Sequence, residues 1–422
     1  MGAHLIMFNL EHLKKEFSTC DCGVCHELNI KDVVVESNAT LKTGEILKRN
    51  GFGKNLLLVA DENTLSASCG ILESLKDFDL TLKVYKDLRQ ATIEGVQEIK
   101  GLLKDCDCLI SVGTGSINDI CRKACSELDK KICIFATAAS MDGFASYNAP
   151  LTAGNFKITY SAKTPEVIIA DTKILAKAPT ELKSAGFGDM VGKYVGLIDW
   201  QVSSLITGEY YCEKVAKLTR TATDEIMALA DRITANDEES AGAVFKALLL
   251  TGIGMSFVKN SRPASGTEHI LSHFWECKKL LEGKISDYHG KKVGVATLLI
   301  MKEYEGLAKL TKVKCHKEKV NWEEIYDNYG ALKEEVINLN TPDTITDQID
   351  PKVIEDNWQQ IVSIIKSVPD YQTIFSAMKK AGCAVTCEEI GVSKELKEQG
   401  LKYHPFMRRR LSLRRLSNMI EK

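Results

Sequence analysis

Proline, histidine and net charge are all scarce in this chain. Its 422 residues include 8 prolines and 8 histidines, and 55 basic residues against 57 acidic ones leave a formal net charge of -2. So little proline excludes a collagen-like chain, and a hydrophobic content of 44% with 27% charged residues excludes wholesale disorder. The composition is that of a soluble globular chain. The near-neutral balance supplies no global field for nucleic acid, so none is expected as a partner; an anionic ligand would have to be met by local cations. No stretch reaches the roughly 18 apolar residues that a spanning helix needs, so no transmembrane segment is expected. The opening residues 1–12 are too short and too polar for a secretion signal, which points to the cytoplasm.

Cysteine is not scarce: there are 14. A disulfide framework belongs to short secreted chains, and thiols diluted over a long chain without a signal fit a reducing compartment better. The densest run holds Cys20, Cys22, Cys25 and His26. Three thiols and an imidazole so close together could bind a metal. They could equally form a surface loop where thiols are harmless, because no second cysteine pair completes the spacing. Cys106 with Cys108, and Cys383 with Cys387, read as ordinary buried or half-buried thiols. None of the cysteines is expected in the chemistry.

At about 150 residues per domain the length allows two or three domains. The first half alternates short β-rich runs, at 32–36, 56–59, 80–84, 108–112 and 131–135, with stretches long enough for crossover helices. That alternation predicts a mainly parallel sheet covered by helices. Segments 156–160 and 167–170 read as added strands, with a loop or hairpin over 146–155. After Pro179 the texture becomes helical. Thr180 offers an N-cap, and 237–250 and 266–282 are further helices. Residues 311–345 read as a surface helix and linker. The division is therefore an α/β domain over 1–178 and an all-α domain over 179–422. The one strongly basic cluster, Arg408, Arg409, Arg410, Arg414 and Arg415, could touch phosphate groups of a membrane or nucleic acid, but reads better as a terminal helix whose leucines pack and whose arginines face solvent or carboxylates.

Gly113, Thr114, Gly115, Ser116, Ile117, Asn118 and Asp119 follow a strand and open a helix. Glycines there let a backbone approach a phosphate, and the first free N–H groups of the helix, aided by its dipole, would face it. The spacing is neither the common dinucleotide fingerprint nor a P-loop. The next strand also ends in a polar loop, with Thr137, Ala138, Ala139, Ser140, Asp142 and Ser146; such loops form the ligand crevice of open α/β sheets. Asp61 ends an earlier strand, where a carboxylate can bond ribose hydroxyls or cap the helix that follows.

Three of the histidines, His269, His273 and His289, stand in the helical half. His269 and His273 are four residues apart, on one helical face. Asp189, flanked by Gly188 and Gly192, is an upstream carboxylate. A catalytic divalent metal wants about three protein ligands and an open position. Two imidazoles and a carboxylate meet that count, and spacing alone does not choose which two histidines ligate.

These segments, together with Lys193 and the run Ser261, Arg262, Pro263, Ala264, Ser265, Gly266, Thr267, Glu268, His269, resemble the sn-glycerol-1-phosphate dehydrogenase family, especially its longer bacterial form. That family lies within the iron-type alcohol dehydrogenase, glycerol dehydrogenase and dehydroquinate synthase group. The resemblance spans roughly residues 55–300 and implies a Rossmann-like α/β domain plus an all-α domain, a dehydroquinate synthase-like fold. It implies reversible reduction of dihydroxyacetone phosphate to sn-glycerol 1-phosphate with NAD(H) or NADP(H), and one divalent ion, Zn²⁺ before Ni²⁺ or Fe²⁺. It makes Asp189, His269 and His289 the metal ligands and puts His273 and Asp142 beside the substrate. Proton delivery is expected from His273, or from water ordered by it and Asp142, and Asp189 is also a substrate contact. Residues 115–119 and 137–140 become the dinucleotide contacts, with Ser146 near the nicotinamide half; Gly113, from the glycine turn, and Asp61, from its place at a strand end, are the further candidate cofactor contacts. Thr114 departs from the glycine more usual there, and the Cys20–Cys25 run partly matches the bacterial form without a role. Lys193 and Arg262, then Lys157 and Lys163, are the candidate cations for the substrate phosphate. A homodimer or larger homo-oligomer is expected. Glycerol dehydrogenase, dehydroquinate synthase and a sensor that binds dinucleotide without turnover are the competing readings.

Overall fold

A computed structural model describes residues 8–421 of the protein. Residues 1–7, which carry part of the secretion-signal argument, lie outside the described residues. Eight strands occur in order: β1 (Asp32–Glu36), β2 (Asn55–Asp61), β3 (Asp79–Tyr85), β4 (Cys108–Gly113), β5 (Lys131–Ala136), β6 (Asn148–Ala153), β7 (Phe156–Ser161) and β8 (Val167–Asp171). Six of them form one parallel sheet in the order β1-β8-β5-β4-β2-β3. β6 and β7 pair with each other as an antiparallel hairpin, so the segment at 156–160 extends no main sheet.

β4 and β8 are buried along their whole length, and β2 and β5 are buried in all but their first residue. Helices therefore cover both faces, as a parallel sheet requires. The first half holds α1 (Leu10–Ser18), α2 (Thr43–Arg49), α3 (Glu62–Ala67), α4 (Ile71–Ser74), α5 (Ile93–Leu103), α6 (Gly115–Leu128) and α7 (Thr172–Lys177). On one face Leu56, Leu58, Ile110 and Phe135 pack with Ile46 and Leu47 of α2. On the other, Leu57, Val59 and Leu109 pack with Val96 and Ile99 of α5 and Ile120 of α6.

The second half is helical: α8 (Thr180–Thr207), α9 (Glu213–Met227), α10 (Glu238–Val258), α11 (Thr267–Leu281) and α12 (His289–Leu307), then shorter helices down to Leu413–Leu416. Its core is continuous with the sheet. Ile134 and Ile168 share one hydrophobic cluster with Phe187 of α8 and Leu248 of α10. The dehydroquinate synthase-like architecture expected from sequence is thus present: a parallel sheet wrapped by helices, followed by an all-α half.

Among the described residues α10 alone has the length and hydropathy to cross a membrane, and 94% of its apolar window is buried inside the protein, where it serves as a core helix. Three readings need correction. The segment 311–345 is not a linker: Ile325, Tyr329, Leu332 and Val336 are buried in the common core. Thr180 is the first residue of α8, after Pro179, and makes no side-chain cap. The basic terminus is not uniformly outward. Arg409 and Arg415 do find Asp343 and Glu318, but Arg410 bonds Ser261 Oγ and Arg408 reaches His273.

Candidate active site

The direction of travel through the sheet reverses between β2 and β4: the chain leaves β2 for β3 on one side and returns to β4 on the other. A crevice forms at the carboxyl ends of strands at such a reversal. A cleft of about 490 Å³ lies there, lined by Asp61 from β2, Gly115 and Ser116 after β4, Thr137 and Ser140 after β5, and His269, His273 and His289 from the helical half.

Thr114 takes an extended conformation at the N-cap of α6. The N–H of Asn118 is satisfied by the Thr114 carbonyl at 3.0 Å. The preceding N–H groups, of Gly115, Ser116 and Ile117, belong to the turn that a helix leaves without intrahelical partners. That first turn lines the cleft, an arrangement that attracts a phosphate. Asp61 accepts from the Thr64 N–H at 2.8 Å and so caps α3, while still lining the cleft. Both readings of that carboxylate are compatible with the geometry.

Asp189 sits on α8 where that helix crosses α12 at close range. A Cβ on Gly188 would lie 2.4 Å from the Gly290 carbonyl oxygen, and one on Gly290 would lie 1.9 Å from that of Ala185. Only glycine permits that approach, and it places His289, the first residue of α12, beside Asp189. Ligand atoms of Asp189, His269 and His289 lie within 4.8 Å of one another. His269 Nε2 is 3.4 Å, and His289 Nε2 4.0 Å, from Asp189 Oδ1. Glu268 Oε1 lies 2.5 Å from His269 Nδ1 and accepts the Gly266 N–H at 2.9 Å. A carboxylate on Nδ1 directs Nε2 toward the group, the usual orientation of a metal-bound imidazole. The donor set of one carboxylate and two imidazoles therefore fits a divalent ion.

Lys193, one helical turn beyond Asp189, is fully buried. Its Nζ lies 2.8 Å from Asp189 Oδ1 and 2.6 Å from Asp142 Oδ2. Asp142 in turn donates its backbone N–H to Asp189 Oδ2 at 3.0 Å. Burial works against the Asp189 charge, but Lys193 and the two imidazoles outweigh it and hold the carboxyl well below its ordinary range. Burial and the neighbouring Asp189 charge push Asp142 upward, against Lys193. His269 is raised to about 9: burial and Lys193 oppose its charge, but Asp189 and Glu268 prevail. His289 is lowered to about 3, chiefly by burial, despite Asp189.

His273 does not join the ligand group. Burial and the Arg408 guanidinium hold its pKa well below the ordinary value, so the ring is neutral. Arg408 Nη2 approaches His273 Nδ1 at 3.3 Å and donates to the Lys157 carbonyl at 2.7 Å. Glu276 bridges Lys157 and Lys292 at 3.0 and 2.8 Å, and all three line the cleft.

Residues 34–179 match the iron-containing alcohol dehydrogenase family. Over 413 residues the chain is 30% identical to a glycerol-1-phosphate dehydrogenase [NAD(P)+] of Halalkalibacterium halodurans, covering 96% of each protein. The chain belongs to the glycerol-1-phosphate dehydrogenase family. The corresponding enzyme of Bacillus licheniformis is 29% identical over 93% of this chain and 90% of its own. Among solved structures, an archaeal halo-thermophilic alcohol dehydrogenase from a Red Sea brine pool has the same fold, with a TM-score of 0.61, 15% identity, and 90% and 92% of the two chains covered.

Against that family background the cleft gathers Asp61, Gly115, Ser116, Ile117, Asp119, Thr137, Ser140, Asp142, Ser146, His269, His273 and His289. Asp189 lies fully buried beneath them. Four expected cofactor contacts are not on the cleft wall. Gly113 is the last residue of β4. Asn118 is fully buried and accepts the Ser111 hydroxyl at 2.8 Å. Ala138 and Ala139 are buried under the loop, where the Ala139 carbonyl meets α8. Asp119 lines the cleft but is tied to Arg122 at 2.7 Å, and Arg122 also donates to the Ser146 and Asn148 carbonyls. Of the four proposed phosphate cations, only Lys157 lines the cleft. Lys193 is enclosed by two aspartates, Arg262 pairs with Glu209, and Lys163 pairs with Glu166 and Asp129.

Sequence reasoning missed Glu268, Lys292, Glu276 and Arg408. Glu268 had a signal, its place beside a candidate ligand. Arg408 stood out only as part of the basic cluster, and nothing tied it to the cleft, because 135 residues separate it from His273.

Proposed function

We propose that the protein reduces dihydroxyacetone phosphate to sn-glycerol 1-phosphate with NADH or NADPH, and can run the reaction backwards. The observation that carries this reading is one cleft that joins a phosphate-facing helix turn to a buried carboxylate–imidazole triad, with Lys157 and Lys292 on its wall and Arg408 held against His273 from behind. Membership of the family supports it. When bound at Asp189, His269 and His289, a divalent ion (Zn²⁺, with Ni²⁺ and Fe²⁺ suited to the same donors) supplies Lewis acidity at the ketone oxygen, and the nicotinamide supplies the hydride.

The chain's own residues do the rest. The first N–H groups of α6 face the cofactor diphosphate, and Asp61 accepts from ribose hydroxyls. Ser146, held in place by Arg122, lies toward the nicotinamide half. Lys193 keeps Asp189 ionised and fixes Asp142 beside it. Asp142 holds the substrate hydroxyl next to the reacting carbon. Because Arg408 donates toward His273 Nδ1, the proton of that neutral ring stays on Nε2, from which it passes to the developing alkoxide. Lys157, Lys292 and Arg408 meet the substrate phosphate; Glu276 alone offsets the two lysines, so the group is net positive. These cations favour the phosphorylated triose over free dihydroxyacetone, and hence this enzyme over a glycerol dehydrogenase.

The two halves, 1–178 and 179–422, act as cofactor and metal–substrate portions. The free thiols of the described residues support a cytoplasmic setting. Leu82 and Val84, exposed on the edge strand β3, support a homodimer. Asp189→Asn tests the whole reading: turnover of dihydroxyacetone phosphate is lost while dinucleotide binding, followed by nucleotide fluorescence, persists. Full turnover by that variant after chelation would contradict it.

A further inference from the structure

The Cys20–His26 run does not end as a surface loop. It folds back onto the junction of α8 and α9, and Cys212, 186 residues after His26, completes a four-residue group. Ligand atoms of Cys20, Cys22, His26 and Cys212 all lie within 4.8 Å of one another. Cys20 Sγ and Cys212 Sγ are 3.7 Å apart. His26 Nε2 lies 3.2 Å from Cys22 Sγ and 3.4 Å from Cys212 Sγ. A tetrahedral Zn²⁺ with Zn–S near 2.3 Å and Zn–N near 2.0 Å sets its ligands roughly 3.8 Å apart between sulfurs and roughly 3.5 Å between sulfur and nitrogen. The observed spacings are close to those edges.

The surroundings agree. His26 is buried, and its Nδ1 lies 3.0 Å from the Phe257 carbonyl. That acceptor fixes the proton on Nδ1 and leaves the Nε2 lone pair facing the three sulfurs, the outer contact typical of a ligating histidine. The Tyr210 hydroxyl lies 3.1 Å from Cys22 Sγ, where it can donate to a thiolate. Cys25 is exposed and stands outside the group. Phe17 of α1 stacks on Phe257 with ring centroids 4.5 Å apart, closing the group from the apolar side.

We propose that Cys20, Cys22, His26 and Cys212 form a second, structural zinc site, separate from the cleft, that staples the amino-terminal segment to the start of α9 and the end of α10. Four protein ligands leave no open position, which marks the site as structural rather than catalytic. The staple also bears on the cleft. Phe257 follows Met255, which lines the cleft, and Ser256, whose hydroxyl bonds the Ala145 carbonyl at 2.5 Å next to Ser146. The proposal does not depend on the reaction assigned to the cleft.

The test uses the full-length protein purified under reducing conditions. Elemental analysis of Asp189→Asn, which lacks the cleft ion, should still find one zinc per chain. Cys22→Ser and Cys212→Ser should each lose that zinc. Wild-type protein loaded with Co²⁺ should show the thiolate-to-cobalt charge-transfer band, because the cleft ligands contain no sulfur. The band should survive in Asp189→Asn and vanish in the cysteine variants, whose melting temperature should fall by several degrees. A wild-type protein with no thiolate–cobalt band, cysteine variants with unchanged zinc content, or a Cys20–Cys212 disulfide in the purified protein would each overturn the proposal. The cobalt reading on wild type decides the matter even if a variant fails to fold.

Discussion

Glu268 is the sharpest place to perturb the metal group without touching a ligand. Its Oε1 lies 2.5 Å from His269 Nδ1 and 2.9 Å from the Gly266 N, in a fully buried setting. Glu268→Gln keeps an oxygen that can accept both N–H groups, removes the charge, and puts an amide NH2 at the place of Oε2, which is buried without a hydrogen-bond partner. Hydrogen bonds to charged groups are worth about 1.5–3 kcal/mol and neutral ones about 0.5–1.5. The loss is therefore about 1.4 kcal/mol, or about tenfold in affinity. Glu268→Ala removes the acceptor altogether and leaves buried donors unpaired, a loss of about 2–3 kcal/mol and thus of about a hundredfold. These figures fall in the range of about 10–100-fold known for outer-shell partners of metal ligands. Competition against a chromophoric chelator measures the metal affinity directly, and dinucleotide binding serves as the control for folding. If Glu268→Gln holds the ion as tightly as the wild type while Glu268→Ala is folded and equally tight, the carboxylate does not orient His269 and the metal assignment loses its main support.

Three further outcomes are expected. Arg408→Ala should raise KM for dihydroxyacetone phosphate by about tenfold or more, the loss of one charge-assisted bond of about 1.5–3 kcal/mol, and should leave the slow reduction of unphosphorylated dihydroxyacetone much less affected in KM; equal effects on both substrates would remove Arg408 from phosphate recognition. Metal affinity should depend on pH through His269, which is raised to about 9 in the metal-free protein. The ion must displace that proton below about pH 9, so affinity should rise about tenfold per pH unit up to that point and then level off. His289, lowered to about 3, is already neutral and adds no slope; a flat profile between about pH 6 and pH 8 would contradict the assignment. Asp61→Ser should shift cofactor preference toward NADPH, read as the ratio of kcat/KM for the two cofactors, because the carboxylate repels a ribose phosphate; an unchanged ratio would leave Asp61 as a helix cap only.

The sheet was legible because β2, β4, β5 and β8 are short apolar runs with charge or glycine at their ends, and the pattern of a buried parallel strand is local. β6 was legible only as a loop or hairpin over 146–155, since Asn148 and Pro150 break the β-rich texture, and pairing with β7 rather than local propensity makes it a strand. The end of α10 was lost past residue 250 because Gly252 and Gly254 look like breakers. Their reason is tertiary at Gly252, where a Cβ would stand 2.6 Å from the Asp142 carbonyl oxygen. The cleft residues near one another in sequence were visible as motifs. Choosing His289 over His273 as ligand needs the α8–α12 crossing, which no spacing encodes. The same holds for Arg408 and Cys212, whose partners are joined to them only by the fold.

Stereochemical analysis of the product made from dihydroxyacetone phosphate by chelated protein, before and after a single divalent ion is restored, decides the reaction. No turnover is expected before restoration, and sn-glycerol 1-phosphate alone afterwards. Turnover without the ion, or sn-glycerol 3-phosphate as the product, would contradict it.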